Sequence, residues 1–288
     1  MSWQIALFFN IIFGTIRGYL DKKLVDRIDL VGFFFISSVW GTIIMLVLYI
    51  LRHASLPVIY PEMMVLGGVY TIAIGAYLVA IKISLSQTAA FYPYSMVIPM
   101  ILAALFLGEA RLFDLGTFSG QKTILGLVLA FVALYLILKS GSEKEQKMEK
   151  KWSYAIIINL ILIGGGTYYT KTFLASHGPL ESLISQQLSI LPILAAVAIY
   201  RKTNLNFSLN NQSLMFLDAL VSTLGAIFYY IVIGGGPINL VLPVQTVILT
   251  ITGILVGLFL FDEVHLFTKE KRLGLAIGVL GVLILLIG

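Results

Sequence analysis

The chain contains no cysteine among its 288 residues, which excludes disulfide bonds and thiolate metal sites. Charged residues are scarce as well, at 11% against the roughly 25% of a soluble domain. The three histidines lie far apart without metal-ligand spacing, and the sequence has neither a Ser-His-acid pattern nor a phosphate-binding P-loop. We therefore expect the chain to be no enzyme, to bind no metal or cofactor, and not to hydrolyse ATP.

Hydrophobic residues are abundant instead, at 59%, and the mean hydropathy is +0.99. They form runs of about 20 residues, the length that crosses a bilayer as a helix. The runs lack the two-residue alternation of barrel strands, which favours helices. The predicted fold class is an all-α integral membrane protein with ten transmembrane helices. The predicted spans are 3–20, 30–51, 63–81, 87–108, 120–138, 153–173, 180–200, 213–234, 238–261 and 271–287.

The sequence repeats itself after 149 residues. Four residues in or just after the first span recur: Trp3, Asn10, Tyr19 and Lys22 match Trp152, Asn159, Tyr168 and Lys171. We divide the chain into a first five-helix repeat (1–139), a charged linker (140–151) and a second five-helix repeat (152–288). Because five is odd, the second copy would enter the bilayer upside down. Inverted repeats of this kind are typical of secondary transporters, with the binding site where the copies meet.

The basic residues predict an orientation. Loops after odd-numbered spans hold 14 Lys and Arg, and loops after even-numbered spans hold 4. The positive-inside rule then places both termini outside the cytoplasm. The net charge of +5 lies mostly in these short loops, so we expect no nucleic-acid partner. The expected location is the cytoplasmic membrane of a bacterium or archaeon.

Charges inside the spans bear on the substrate. No carboxylate lies near the centre of a predicted span, which argues against export of lipophilic cations by carboxylate protonation. Arg17 and Lys171 lie near the ends of their spans, where they could pair with a substrate carboxylate or phosphate. Alternatively, both side chains reach the lipid headgroups or pair with Asp21 and Glu181.

Polar and aromatic side chains within the spans are further candidates, because an unpartnered amide in hydrocarbon costs a few kcal/mol. Hydrogen bonds between helices and an interfacial aromatic belt are the alternative explanations. Pro93 and Pro243 interrupt equivalent spans and are candidate hinges. The candidate substrate-binding residues are Asn10, Arg17, Tyr19, Trp40, Tyr77, Tyr94, Asn159, Tyr168, Lys171, Gln186, Gln187, Tyr229 and Gln245.

The fourth and ninth spans carry a recurring pattern. Each contains a proline, ends in an acidic turn (LFLGEARL with Glu109, LFLFDEVHL with Glu263) and precedes a glycine-rich span. In this the chain resembles the drug/metabolite transporter superfamily, in its EamA-type branch. The resemblance implies a central cavity lined by spans one to four and six to nine, with Glu109 and Glu263 as markers at helix ends. It also implies cytoplasmic termini, the reverse of the loop count.

The predicted function is secondary active transport of a small organic metabolite by alternating access. An anionic or zwitterionic substrate is favoured, such as an amino acid or organic acid, with coupling to protons or to substrate exchange left open. One alternative is transport of drugs or a quaternary amine such as choline through an aromatic cavity of Trp40, Tyr77 and Tyr94. Another is an accessory subunit that transports nothing. The expected partners are the substrate and membrane lipids, with the chain a monomer or homodimer.

Overall fold

A computed structural model describes residues 2–96, 98–99, 102, 114–139, 143–174, 176–235, 238–263 and 268–286. These residues form helices joined by short connections and contain no strand, which confirms the all-α class. A 3₁₀ helix, Tyr92–Met96, follows the fourth α-helix. The α-helices are α1 (Trp3–Val25), α2 (Leu30–His53), α3 (Pro61–Ile83), α4 (Leu85–Phe91), α5 (Phe118–Lys139), α6 (Glu143–Leu174), α7 (Pro179–Tyr200), α8 (Leu209–Gly235), α9 (Ile238–Leu260) and α10 (Lys269–Leu286).

Four of these helices, α2, α3, α7 and α8, are long and apolar enough to cross a membrane. Large apolar side chains on them face outward, and Leu51, Val65 and Ile199 are each more than 70% exposed. Such a surface needs an apolar environment, so the chain is a membrane protein. The number of spans and their inverted arrangement stay predictions.

Several helix boundaries differ from the predicted ones. α1 continues to Val25 rather than ending at residue 20, and α8 begins at Leu209 rather than at 213. The charged linker is helical from Glu143 and forms the first turns of α6, because Glu and Lys are good helix formers. The fourth α-helix starts at Leu85, two residues before the predicted span, and gives way at Tyr92 to the 3₁₀ helix that contains Pro93. Most of the remainder of that span, and Glu109, lie outside the described residues.

Local capping explains where some of these helices start and stop. The Asp29 side chain accepts hydrogen bonds from the amides of Val31 (3.0 Å) and Gly32 (3.1 Å), which satisfies the first turn of α2. Ala54 follows the last residue of α2, adopts the left-handed conformation (φ 51°) and donates its amide hydrogen to the carbonyl of Ile50. Pro179 stands at the start of α7, where its missing amide costs nothing.

The chain forms two compact units. The first comprises Met1–Leu78 and Tyr169–Val241, and the second comprises Val79–Tyr168 and Leu242–Gly288. Each unit therefore draws on both sequence copies. In the first unit α1 packs on α8, and α2 packs on α7 and α8. In the second, α5 packs on α10.

Each unit has an apolar core of its own. In the first unit, Met45 and Met63 pack with Ile184 and Tyr230, so α2, α3, α7 and α8 share one apolar cluster. In the second, Trp152 is fully buried against the edge of the Phe91 ring, with 5.3 Å between ring centroids. Burying a large aromatic side chain is worth about 1.5–3 kcal/mol, so these clusters are main stabilising features of each unit.

Small residues allow close helix contacts in the second unit. A Cβ added to Gly253 would lie 2.6 Å from the Cβ of Ala89, and one added to Gly257 would lie 2.7 Å from the amide of Ser86. The G-x-x-x-G spacing in α9 therefore marks a face where α4 lies against the backbone.

Candidate functional site

The first unit buries a pair of carboxyl groups that we call the acid pair, Asp21 of α1 and Asp218 of α8. Their side chains face each other at hydrogen-bonding range, and both residues are at most 3% exposed. Arg17, one turn before Asp21, contacts it through Nε at 3.3 Å. The Ser37 hydroxyl of α2 lies beside Asp218. Three helices thus contribute to one charged cluster.

A second polar group, the Gln186 cluster, lies elsewhere in the first unit. The Tyr230 hydroxyl donates to Gln186 Oε1 at 2.5 Å and lies within range of the Thr170 hydroxyl, which is 3.3 Å from that of Tyr70. Gln186 is 4% exposed, and its Nε2 has no hydrogen-bond partner among the described residues. Leaving a buried donor unsatisfied costs about 1–3 kcal/mol. A hydrogen-bond acceptor placed beside this amide would remove that cost.

α8 contributes a residue to each of the two clusters, Asp218 to the acid pair and Tyr230 to the Gln186 cluster. Asp218 and Gly225 are seven residues apart, close to two full turns, and both face α1. Thr223 and Tyr230 have the same spacing on another face, where Thr223 lies against Gly41 of α2 and Tyr230 against Gln186 of α7. Asp218 precedes Tyr230 by twelve residues, which separates the acid pair from the Gln186 cluster by about 18 Å along the helix.

Other candidates of the first unit make hydrogen bonds between helices. Asn10 Nδ2 donates to the Gly225 carbonyl at 2.8 Å, Gln187 Nε2 to the Ser38 carbonyl at 3.4 Å, and Lys171 Nζ to the Ile233 carbonyl at 3.1 Å. Such bonds satisfy polar groups in hydrocarbon. Arg17 and Lys171 thus both have protein partners, and for Arg17 the partner is the predicted Asp21.

The aromatic candidates of the first unit vary in exposure. Trp40 is 36% exposed and packs edge-to-face on Phe216, with 5.3 Å between centroids. Tyr19 carries Lys23 over its ring, 5.4 Å from the centroid. Tyr77 and Tyr229 are half-buried.

The remaining candidates belong to the second unit: Tyr94, Asn159, Tyr168 and Gln245. The Tyr94 hydroxyl donates to the Gly278 carbonyl at 2.9 Å, which makes this residue part of the packing between the 3₁₀ helix and α10. Asn159 and Gln245 are buried. Pro93 and Pro243 lie in the 3₁₀ helix and in α9, and their role as hinges stays a prediction.

Glu263, one of the two acidic markers, binds the start of α4. Its carboxylate accepts from the Leu85 amide (2.8 Å), the Ser86 amide (2.9 Å) and the Ser84 hydroxyl (3.0 Å). A negative charge at a helix N-terminus is stabilised by the unpaired amides there. Glu263 is therefore a buried cap of α4 in the second unit.

Asp218 lies deeper in its helix than the predicted span implied. The predicted eighth span started at residue 213, so Asp218 stood near its end; α8 starts at Leu209, which places Asp218 in its third turn. Tyr70, Thr170 and Tyr230 were not among the predicted site residues either. The seven-residue spacing of Thr223 and Tyr230 was a signal for a polar face, but it does not identify the helix that faces it.

No family model matches the chain, and no curated protein matches it. Its fold is similar to that of a solved structure described only as a crystal structure of protein. The TM-score is 0.63 at 14% identity, over 99% of this chain and 97% of that chain. At this identity the likeness concerns the fold alone.

Proposed function

We propose that the chain is a secondary active transporter that carries a small anionic or zwitterionic metabolite by alternating access. The observation that carries the proposal is the Gln186 amide, a buried hydrogen-bond donor without an acceptor among the described residues. A substrate carboxylate could accept from it, in a charge-assisted bond worth about 1.5–3 kcal/mol. The surrounding hydroxyls of Thr170 and Tyr230 would add further polar contacts.

The helix pairing supports an internal two-fold relation between the sequence copies. α2 and α7 are equivalent helices of the two copies and pack together, as do α5 and α10. α1 packs on α8, and its equivalent α6 contacts α3, the equivalent of α8, through Tyr70 and Thr170. A two-fold axis would generate each of these pairings. Two related halves are what alternating access by inverted repeats requires.

A binding screen tests the proposal. Purified protein in detergent is heated with amino acids, organic acids or choline. A ligand at 100 times its dissociation constant stabilises the folded state by about 2.7 kcal/mol. We expect an amino acid or organic acid to raise the melting temperature, and the variant Gln186→Leu to need roughly 10- to 100-fold more ligand for the same shift.

Gln212→Leu is the matched control, because Gln212 is exposed at the start of α8. It should respond to ligand as the unchanged protein does. Stabilisation by choline alone would favour the aromatic alternative. A ligand response that Gln186→Leu leaves unchanged would remove the Gln186 cluster from the binding site.

A further inference from the structure

The acid pair has more negative than positive charge if both of its carboxyl groups are ionised. Among the described residues, the charged groups that face it are Arg17 and Asp21 on α1 and Asp218 on α8, and α2 contributes the neutral Ser37 hydroxyl. One guanidinium therefore stands against two carboxyls at a site that is almost fully buried. Two ionised carboxylates in contact, away from water, repel each other strongly, and a shared proton relieves this repulsion.

Hydrogen bonding at the pair indicates where such a proton belongs. Asp21 has the Arg17 contact at 3.3 Å, whereas Asp218 Oδ1 has no hydrogen-bond partner among the described residues. A bare carboxylate oxygen only accepts, so it gains nothing from the carboxylate that faces it. A protonated carboxyl donates, and an O–H on Asp218 directed at Asp21 would satisfy both groups.

We propose that Asp21 and Asp218 hold one exchangeable proton between them and that this proton is the ion coupled to transport. The coupling rests on the proposed function, whereas the proton site does not. Binding forms one O–H bond on a carboxyl oxygen of the pair with a proton from water on one side of the membrane. Release breaks that bond and returns the proton to water on the other side, while Arg17 stays charged throughout.

The acid pair lies between two helices, so its protonation affects how they pack. Asp21 and Asp218 lie on α1 and α8, which come from different sequence copies and pack along each other. The protonated pair joins the two helices by a hydrogen bond, and the deprotonated pair pushes them apart. A change in protonation thus biases the contact between two helices that alternating access would have to move.

Transport in proteoliposomes tests the coupling. The substrate from the binding screen is offered with and without an inward proton gradient. With one proton per substrate, a gradient of one pH unit can drive up to about tenfold accumulation. We expect this accumulation for the unchanged protein, and its complete loss in Asp218→Asn and Asp21→Asn, since asparagine has the shape of the protonated acid but cannot exchange a proton.

Asp26→Asn is the matched control. Asp26 follows α1 directly, its side chain is 40% exposed, and it contacts Lys22 at 3.4 Å outside the acid pair. This variant should accumulate substrate as the unchanged protein does. A full gradient response in Asp218→Asn, or accumulation driven by sodium instead of protons, would overturn the proposed coupling.

Infrared spectroscopy separates the proton site from the transport proposal. Purified protein without substrate is compared in neutral and alkaline buffer, where exposed carboxyls are ionised. We expect a carbonyl band of a protonated carboxylic acid that disappears on alkalisation and is absent from Asp218→Asn. If the band is present but no substrate is transported, the proposed function fails and the proton site stands. If substrate is transported and the unchanged protein lacks the band, the proton site is wrong, whether or not the variants fold.

Discussion

Ser86 binds Glu263 with both its amide, at 2.9 Å, and its hydroxyl, at 2.6 Å. The two residues are far apart in sequence, and the contact fixes the turn after α9 to the first turn of α4. Glu263 is 2% exposed, and helix amides and hydroxyls compensate its buried carboxylate.

Glu263→Ala should destabilise the protein markedly. The substitution leaves the amides of Leu85 and Ser86 without an acceptor. A hydrogen bond to a charged group contributes about 1.5–3 kcal/mol, so we expect at least this loss in the free energy of unfolding, measured by denaturant titration in detergent. Glu270→Ala, at an exposed position in the first turn of α10, should change little. Equal effects of the two substitutions would contradict the capping role.

The repeated tryptophans should differ in their contribution to stability. Trp152 is fully buried and donates from Nε1 to Thr88 Oγ1 at 3.0 Å, whereas Trp3 is only partly buried. Trp152→Phe should therefore cost more than Trp3→Phe. A double-mutant cycle with Thr88→Val should give a coupling of about 0.5–1.5 kcal/mol for the lost hydrogen bond. A coupling indistinguishable from zero would show that this bond does not stabilise the protein.

Two glycines of α3 should respond oppositely to alanine. A Cβ at Gly67 would collide with the Gln186 carbonyl and the Ser189 hydroxyl, whereas one at Gly75 would meet nothing within 4 Å. Gly67→Ala should cost about 1–3 kcal/mol of stability, because α3 and α7 must separate. Gly75→Ala should be neutral or stabilising by up to about 1 kcal/mol, the helix preference of alanine over glycine. Thermal unfolding in detergent measures both, and a harmless Gly67→Ala would refute the close contact.

Single cysteines can determine the orientation, because the chain has none of its own. Ser55, after α2, and Asn204, after α7, are both exposed. The count of basic residues predicts that an impermeant maleimide added to intact cells labels Ser55→Cys and not Asn204→Cys. Labelling of Asn204→Cys alone would give the reverse orientation, which is the one that the family resemblance implies.

Much of the fold could be predicted from the sequence, because a bilayer demands long apolar runs and such runs are visible without knowledge of their partners. The faces of the helices are harder to predict. Tyr229 and Tyr230 are neighbours in sequence, yet only Tyr230 reaches Gln186. Which of two adjacent residues faces the interior depends on helix rotation, and that is decided by packing against other helices.

The candidate site could be predicted in part for the same reason. Gln186 was predicted because an amide within an apolar span needs a partner. That its Nε2 would lack one depends on where Tyr230 and Thr170 lie, and these belong to other helices. Asp218 was not predicted as a site residue, because the predicted span starts at 213 and places it near the span end. α8 starts four residues earlier, at Leu209, so Asp218 lies in its third turn.

Transport by the purified chain tests the central claim most directly. Proteoliposomes loaded with an unlabelled amino acid or organic acid that stabilises the protein are diluted into the same compound in radiolabelled form. A secondary transporter should exchange the two, so that label accumulates transiently, and Gln186→Leu should do so only at higher substrate concentration. If none of the compounds that bind accumulates beyond the level of protein-free liposomes, the chain is not a transporter of these metabolites.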